Sequence, residues 1–180
     1  MPPGRSVSTT WTLTPPTGES AGSSSTFTAQ TTYKGAPREF RVLASVSVVS
    51  PYPDLALNAT ATASSVYDSR YPASNAIDGD GSTEWVSKGE LNPWIQLNWS
   101  TPQTIGSVAL SDRTNLTDWA PGGTLTFSDG STITVSGIPN DGSPHTVSFT
   151  PKPAITSVKF QVAGGSGSNV GLQEIEAYSK

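Results

Sequence analysis

The chain has 180 residues, no cysteine, and 10 basic against 14 acidic side chains, for a formal charge of −4. The lack of cysteine excludes disulfides, thiolate metal centres and a cysteine nucleophile, and the acidic balance leaves no basic stripe for nucleic acid or an anionic membrane surface. With 17 glycines, 15 prolines and 13% charged residues, the composition suits neither a disordered chain nor a helical one.

Residues 1–50 form a Ser/Thr/Pro-rich region with β alternation at Thr9–Thr14, Ser25–Ala29 and Phe40–Val49. This predicts a short immunoglobulin-like β piece, small or truncated. Met1-Pro2-Pro3-Gly4-Arg5 does not have the character of a signal peptide, and the chain is expected to be cut from something longer. Two prolines within Ser50-Pro51-Tyr52-Pro53-Asp54 suggest a semi-rigid linker, assigned to residues 51–56. From there to Lys180, strand candidates follow in regular order: Ala59–Ser64, Trp94–Trp99, Gly106–Ser111, Gly123–Phe127, Thr132–Ser136, Thr146–Phe149, Ile155–Val162 and Gly171–Tyr178. Ser128-Asp129-Gly130-Ser131 marks a hairpin, since Asp-Gly suits the positive φ angles of a tight turn. No apolar run approaches the ~20 residues of a membrane span. The pattern predicts an all-β jelly-roll sandwich over residues 57–180.

Two acidic clusters carry the chemistry. Ala76-Ile77-Asp78-Gly79-Asp80-Gly81-Ser82-Thr83-Glu84-Trp85 crowds hard oxygen donors into one turn, and Gly171-Leu172-Gln173-Glu174-Ile175-Glu176 closes the chain. Brought together, they would suit calcium, which takes six to eight oxygens in flexible geometry. A helix-loop-helix calcium loop does not fit, because Thr83 stands at its sixth position and Gly89 at its twelfth. From the first cluster alone, a merely polar turn is an equally good account.

Longer motifs carry a resemblance. These are Leu57-Asn58-Ala59-Thr60-Ala61-Thr62-Ala63-Ser64-Ser65, Pro72-Ala73-Ser74-Asn75-Ala76-Ile77-Asp78-Gly79-Asp80 with Thr83 and Trp85, Trp94-Ile95-Gln96-Leu97, and Gly171–Glu176. In this order they resemble a discoidin domain, the coagulation factor C-type fold, and especially carbohydrate-binding module family 32. Asp112–Trp119 followed by Gly123–Gly130 is similar to a subgroup appended to actinobacterial secreted enzymes, including PIG-L-type deacetylases. The resemblance implies a structural calcium held by side chains of Asp78, Thr83 and Glu174 and main-chain oxygens of Asn75, Asp80 and Gln173, with the Asp80 side chain as the alternative at that position. It also implies a glycan site on loops at one end of the sandwich. Lys88, Glu90 and Asn92 stand on one such loop, Asp112, Arg113, Asn115, Asp118 and Trp119 on a second, and Asn169 on a third.

Arg113 stands where the family often has a sugar-binding arginine. An ion pair with Asp112, Asp118 or Glu90 accounts for it equally well. Trp119 is the best stacking candidate, with Tyr67 or Tyr71 as substitutes, and its alternative role is packing under its own loop. Trp85 and Trp94, in apolar strand context, are expected in the core. No His stands in the first loop, so galactose specificity does not carry over. His145 is the sole histidine and no Gly-x-Ser-x-Gly elbow exists, which argues against a hydrolytic triad. The chain is thus expected to be a non-catalytic, secreted, monomeric carbohydrate-binding module that targets a parent enzyme to glycan. The alternative is an accessory domain that packs against its parent catalytic domain.

Overall fold

The computed structural model describes residues 24–31, 40–47 and 52–180, and the chain divides into two units, Met1–Ser50 and Pro51–Lys180. In the first, β1 (Ser24–Thr31) pairs antiparallel with β2 (Phe40–Ser47), in register from Ser24↔Ser47 to Thr31↔Phe40. The strand expected at Thr9–Thr14, Trp11 with it, lies outside the described residues, as does most of the region assigned to an immunoglobulin-like piece.

The second unit is a jelly-roll β-sandwich. Its strands are β3 (Thr60–Ala63), β4 (Trp85–Val86), β5 (Trp94–Asp112), β6 (Gly122–Phe127), β7 (Thr132–Ser136), β8 (His145–Val162) and β9 (Gly171–Tyr178). They run in the order β4-β9-β5-β8-β6-β7, with β3 on β5, all antiparallel. Short 3₁₀ turns occupy Ala56–Asn58 and Ala73–Ile77.

Four of the expected strands merge into two. Trp94–Trp99 and Gly106–Ser111 are the halves of one bent strand, β5, and Thr146–Phe149 and Ile155–Val162 are the halves of β8. The first half of β5 pairs with β3 and the far end of β8; its second half pairs with the near end of β8 and with β9. Between them the register shifts at Asn98/Gln103, Gln103/Ile105 and Ile105/Ser107. A sheet turns a corner at such irregularities. Pro102, Pro151 and Pro153 sit there, where a missing N–H costs no ladder bond. Ala154 adopts φ 58° at the same bend. The two-residue strand β4 was not anticipated.

The hairpin is as the Asp-Gly signal requires: Gly130 has φ 82°, and Phe127 N–H donates to Ser131 O at 2.9 Å. Ile95, Leu97 and Trp99 alternate inward from β5 and meet Leu125, Phe160, Val158, Leu172 and Ile175 in one core. Each such side chain contributes about 1.5–3 kcal/mol by burial. From Ile105 to Asp112 every residue of β5 is buried, since both faces of this segment are covered. Trp85 is fully buried, but Trp94 is a correction to the expected core. It is half-buried on the outward face of β5, with the Lys159 ammonium 6.0 Å from its ring centroid.

The supposed linker also ends earlier than residue 56. Leu55 N–H donates to Ala177 O at 2.7 Å, Trp99 Nε1 donates to Leu55 O at 2.8 Å, and the Asp54 carboxylate accepts from Ala56 and Ala177 N–H groups. Asp54 to Ala56 thus belong to the sandwich.

Candidate functional site

The first acidic turn follows the 3₁₀ turn Ala73–Ile77, which buries Ala76 and Ile77 and so fixes where Asp78 emerges. Asp78 Oδ1 accepts Asp80 N–H, and Asp80 Oδ1 accepts both Ser82 N–H and its hydroxyl, which folds the loop back on itself. The outcome is a cluster of oxygens around Thr83. Its hydroxyl lies 3.2 Å from Asn75 O, 2.9 and 3.1 Å from the Asp78 carboxylate oxygens, and 3.0 Å from Asp80 O. One hydroxyl proton cannot serve four acceptors.

Glu174 arrives from β9 and is only 8% exposed, and neither carboxylate oxygen has a hydrogen-bond partner among the described residues. Burial first, then the Asp78 carboxylate beside it, push the Glu174 carboxyl up to about 8. Gln173 Nε2 donates to Gly81 O across the same junction. Asn75, Asp78, Asp80, Thr83, Gln173 and Glu174 are therefore brought together by the fold. Buried acceptors without donors are costly unless a cation or proton supplies the missing charge. Only two carboxylates meet here, and no group of three His, Cys, Asp or Glu side chains gathers among the described residues. The remaining oxygens are carbonyls and a hydroxyl, which is the donor set of a hard cation.

Beside this turn lies an open hollow of about 100 Å³ lined by Tyr67, Tyr71, Val86, Arg113, Asp118 and Asn169. Tyr67 N–H donates to Val86 O, Val86 N–H to Tyr71 O, and Trp85 Nε1 to Ser65 O, so the tyrosine loop is tied to β4. The two rings stand edge to face, with centroids 6.2 Å apart at 67°. Tyr67 is 46% exposed. Arg113 is held flat. Its Nε and Nη2 each donate to Glu84 at 2.9 Å, and Nη1 donates to Asn169 O at 2.5 Å. The partner of Arg113 is Glu84, not Asp112, Asp118 or Glu90. Nothing in the spacing of positions 84 and 113 signals this pair; Glu84 directly precedes β4, Arg113 directly follows β5, and β9 pairs with both strands. Asp118 Oδ1 accepts N–H groups of Ser168 and Asn169, which join the second and third loops. Those N–H groups hold the Asp118 carboxyl below the usual carboxylate range.

Not all the site residues expected from sequence meet here. Asp112 is fully buried, with Oδ1 accepting Ala120 N–H at 3.1 Å and Oδ2 without a partner among the described residues. It braces the second loop and cannot touch a ligand. Burial pushes its carboxyl up to about 7. Trp119 is half-buried, bridged to Ser166 through both main-chain groups, and does not line the hollow. Asn115 caps its own loop, accepting from Thr117 and Asp118 N–H groups. Lys88 and Asn92 are exposed and Glu90 is half-buried on the first loop, none of them in the lining. Asn92 Oδ1 accepts Gly164 N–H, and the Asn169 side-chain carbonyl accepts Gly89 N–H, so these groups join loops. The aromatic contribution comes from Tyr67 and Tyr71.

A bent antiparallel jelly roll with its N-terminal turn joined to its last strand, and a polar-aromatic hollow among its end loops, defines a discoidin-like domain. The chain belongs to the family described as domain of unknown function DUF7402, whose pattern matches residues 54–178. Among solved structures it is similar to chitosan-binding module 1 of a chitosanase/glucanase from Paenibacillus sp. IK-5, at 30% identity and TM-score 0.59, over 70% of this chain and 98% of that one. It is also similar to the family 32 carbohydrate-binding module of NanJ from C. perfringens, solved with galactose, at 23% identity and TM-score 0.60, over 71% and 98% of the two chains. A third likeness is to an F5/8 type C domain from Bacteroides fragilis, at 18% identity and TM-score 0.61, over 73% and 98%. The last two likenesses speak to fold alone. No curated protein matches the chain.

Proposed function

We propose that the second unit is a non-catalytic carbohydrate-binding module that takes a sugar in the hollow between Tyr67, Tyr71, Arg113, Asp118 and Asn169. The observation that carries this is the pairing of the exposed Tyr67 ring, backed by the half-buried Tyr71, with fixed planar polar groups. A pyranose offers an apolar face to the rings and hydroxyls to the guanidinium, carboxylate and amide. The chitosan-binding module that is 30% identical supports the ligand class. That module comes from a polysaccharide-cleaving enzyme, which supports a role in holding a parent secreted enzyme near its glycan. A shallow open site supports weak binding, about −4 to −8 kcal/mol.

Catalysis finds little footing. Glu84 is paired with Arg113, Asp112 is buried, and His145, half-buried at the start of β8, stands apart from the hollow lining. The acidic turn is a structural calcium site. Asp78, Thr83 and Glu174 would hold the ion through side chains, and Asn75, Asp80 and Gln173 through main-chain oxygens. The orphaned Glu174 carboxylate and the acceptors crowded around Thr83 support this. When bound, the ion supplies the positive charge that these oxygens lack.

A glycan array probed in calcium tests the function. Tyr67→Ala is expected to abolish the binding seen with the unaltered chain, without lowering the melting temperature, and Trp119→Ala to retain it. Absence of binding to any plant, fungal or bacterial glycan would overturn the assignment and favour an accessory domain that packs against its parent enzyme.

A further inference from the structure

The charges around the hollow do not balance. Arg113 is neutralised by its two bonds to Glu84. Asp68 and Arg70, beside the tyrosines, form their own pair at 2.7 Å. Of the charged groups that line the hollow, Asp118 has no cationic partner within ion-pair distance among the described residues. Its Oδ1 is saturated by Ser168 and Asn169 N–H groups at 2.6 and 3.2 Å, whereas Oδ2 has only the Asn115 amide at a long 3.4 Å. A carboxylate oxygen that retains charge and open lone pairs accepts strongly from a cationic donor. The aromatic surroundings act in the same sense. Tyrosine faces attract cations, and Arg70 already stands 5.3 Å over the Tyr71 ring, leaving the more exposed Tyr67 for a ligand.

We propose that the hollow selects amino sugars, receiving the ammonium of a hexosamine on Asp118 Oδ2 while the ring packs on Tyr67. This rests on the glycan-binding function proposed above. A protonated amine offers three donors and one positive charge to the unmatched carboxylate. N-acetylation removes the charge, and a uronic acid brings a second negative charge against Asp118 with Arg113 already paired.

The test is calorimetric titration of the full chain, in calcium and at mildly acidic pH, with trimers of glucosamine, N-acetylglucosamine and galacturonic acid. The glucosamine trimer is expected to bind about tenfold more tightly than the N-acetylated one, since a charge-assisted bond is roughly twice as strong as a neutral one. The uronate is expected not to bind. Salt should shrink the preference, because the hollow is open to solvent. D118N keeps a carbonyl at Oδ1 for the Ser168 and Asn169 N–H groups and removes the charge. It should bring the glucosamine trimer down to the affinity of the N-acetylated one, with a modestly lower melting temperature, since the two N–H groups favour the charged carboxylate. Equal affinity for both trimers, still abolished by Tyr67→Ala, overturns the amino-sugar selection and leaves the carbohydrate-binding function standing. A D118N chain that keeps the full preference overturns the role of Asp118. Failure of all three trimers and of every array glycan overturns both.

Discussion

Asp112 shows how one side chain can be placed beside a site yet act only through structure. Its carboxyl is enclosed at the end of β5, accepts one main-chain N–H from Ala120, and leaves Oδ2 bare. Burial raises its pKa from 3.8 to about 7. The folded state therefore holds a proton that the unfolded chain has released anywhere between those values. The stability this contributes is complete below pH 3.8 and is lost as the pH rises through 7. Asp112→Asn keeps an acceptor for Ala120 and cannot ionise. It is expected to stabilise the domain by about 1–3 kcal/mol in alkaline buffer and to flatten the pH dependence. Urea melts across the pH range check this; an unchanged slope would contradict the assigned burial. Arg113 is governed by geometry in the same way. Arg113→Lys cannot span both Glu84 oxygens and Asn169 O at once. It is expected to weaken glycan binding about tenfold or more by loosening the hollow wall, read by titration against a trimer that the unaltered chain binds.

At the scale of elements, the junction of β4 with β9 decides whether the site exists. Trp85 pairs with Leu172 and Val86 with Gly171. This short pairing carries Glu84 toward Arg113 and the tyrosine loop toward Asn169. It depends on a close approach: a Cβ on Gly171 would lie 2.0 Å from Trp85 O. Gly171→Ala must push the strands apart, at an expected cost of about 1–3 kcal/mol or more. Because the strand pairing also forms one wall of the hollow, thermal melts and glycan affinity should fall together. A melt lowered with affinity intact would separate the junction from the site.

For the folded unit as a whole, the two acidic clusters lie about a hundred residues apart in sequence, and in the fold Asp78 and Glu174 repel one another. A calcium ion that binds only the folded unit stabilises it by mass action, by about 3 kcal/mol at a hundredfold excess over Kd. Chelation with EDTA is expected to lower the melting temperature by about 10 °C for a unit of this size. Glu174→Ala is expected to abolish the calcium response. A melt that EDTA leaves unchanged would sink the metal site.

Local signals in the sequence were sufficient for the all-β class, the Asp129-Gly130 hairpin, most strand positions and the inward alternation of Ile95, Leu97 and Trp99. Each depends on period-two burial or on the φ preference of one glycine, both of which act within a few residues. The oxygen donors of the acidic turn were legible as residue types, and so were Arg113, Asp118 and Asn169 of the hollow. Their partners were not. That β5 and β8 are single strands bent through a corner, that Glu84 rather than a nearer acid takes Arg113, that Asp112 lies buried, and that Tyr67 and Tyr71 rather than Trp119 line the hollow were decided only by the tertiary structure. The physical reason is common to all four: each depends on which backbone segments cross in space, and covering both faces of β5 sets the burial of a charge that its own neighbours in sequence leave open.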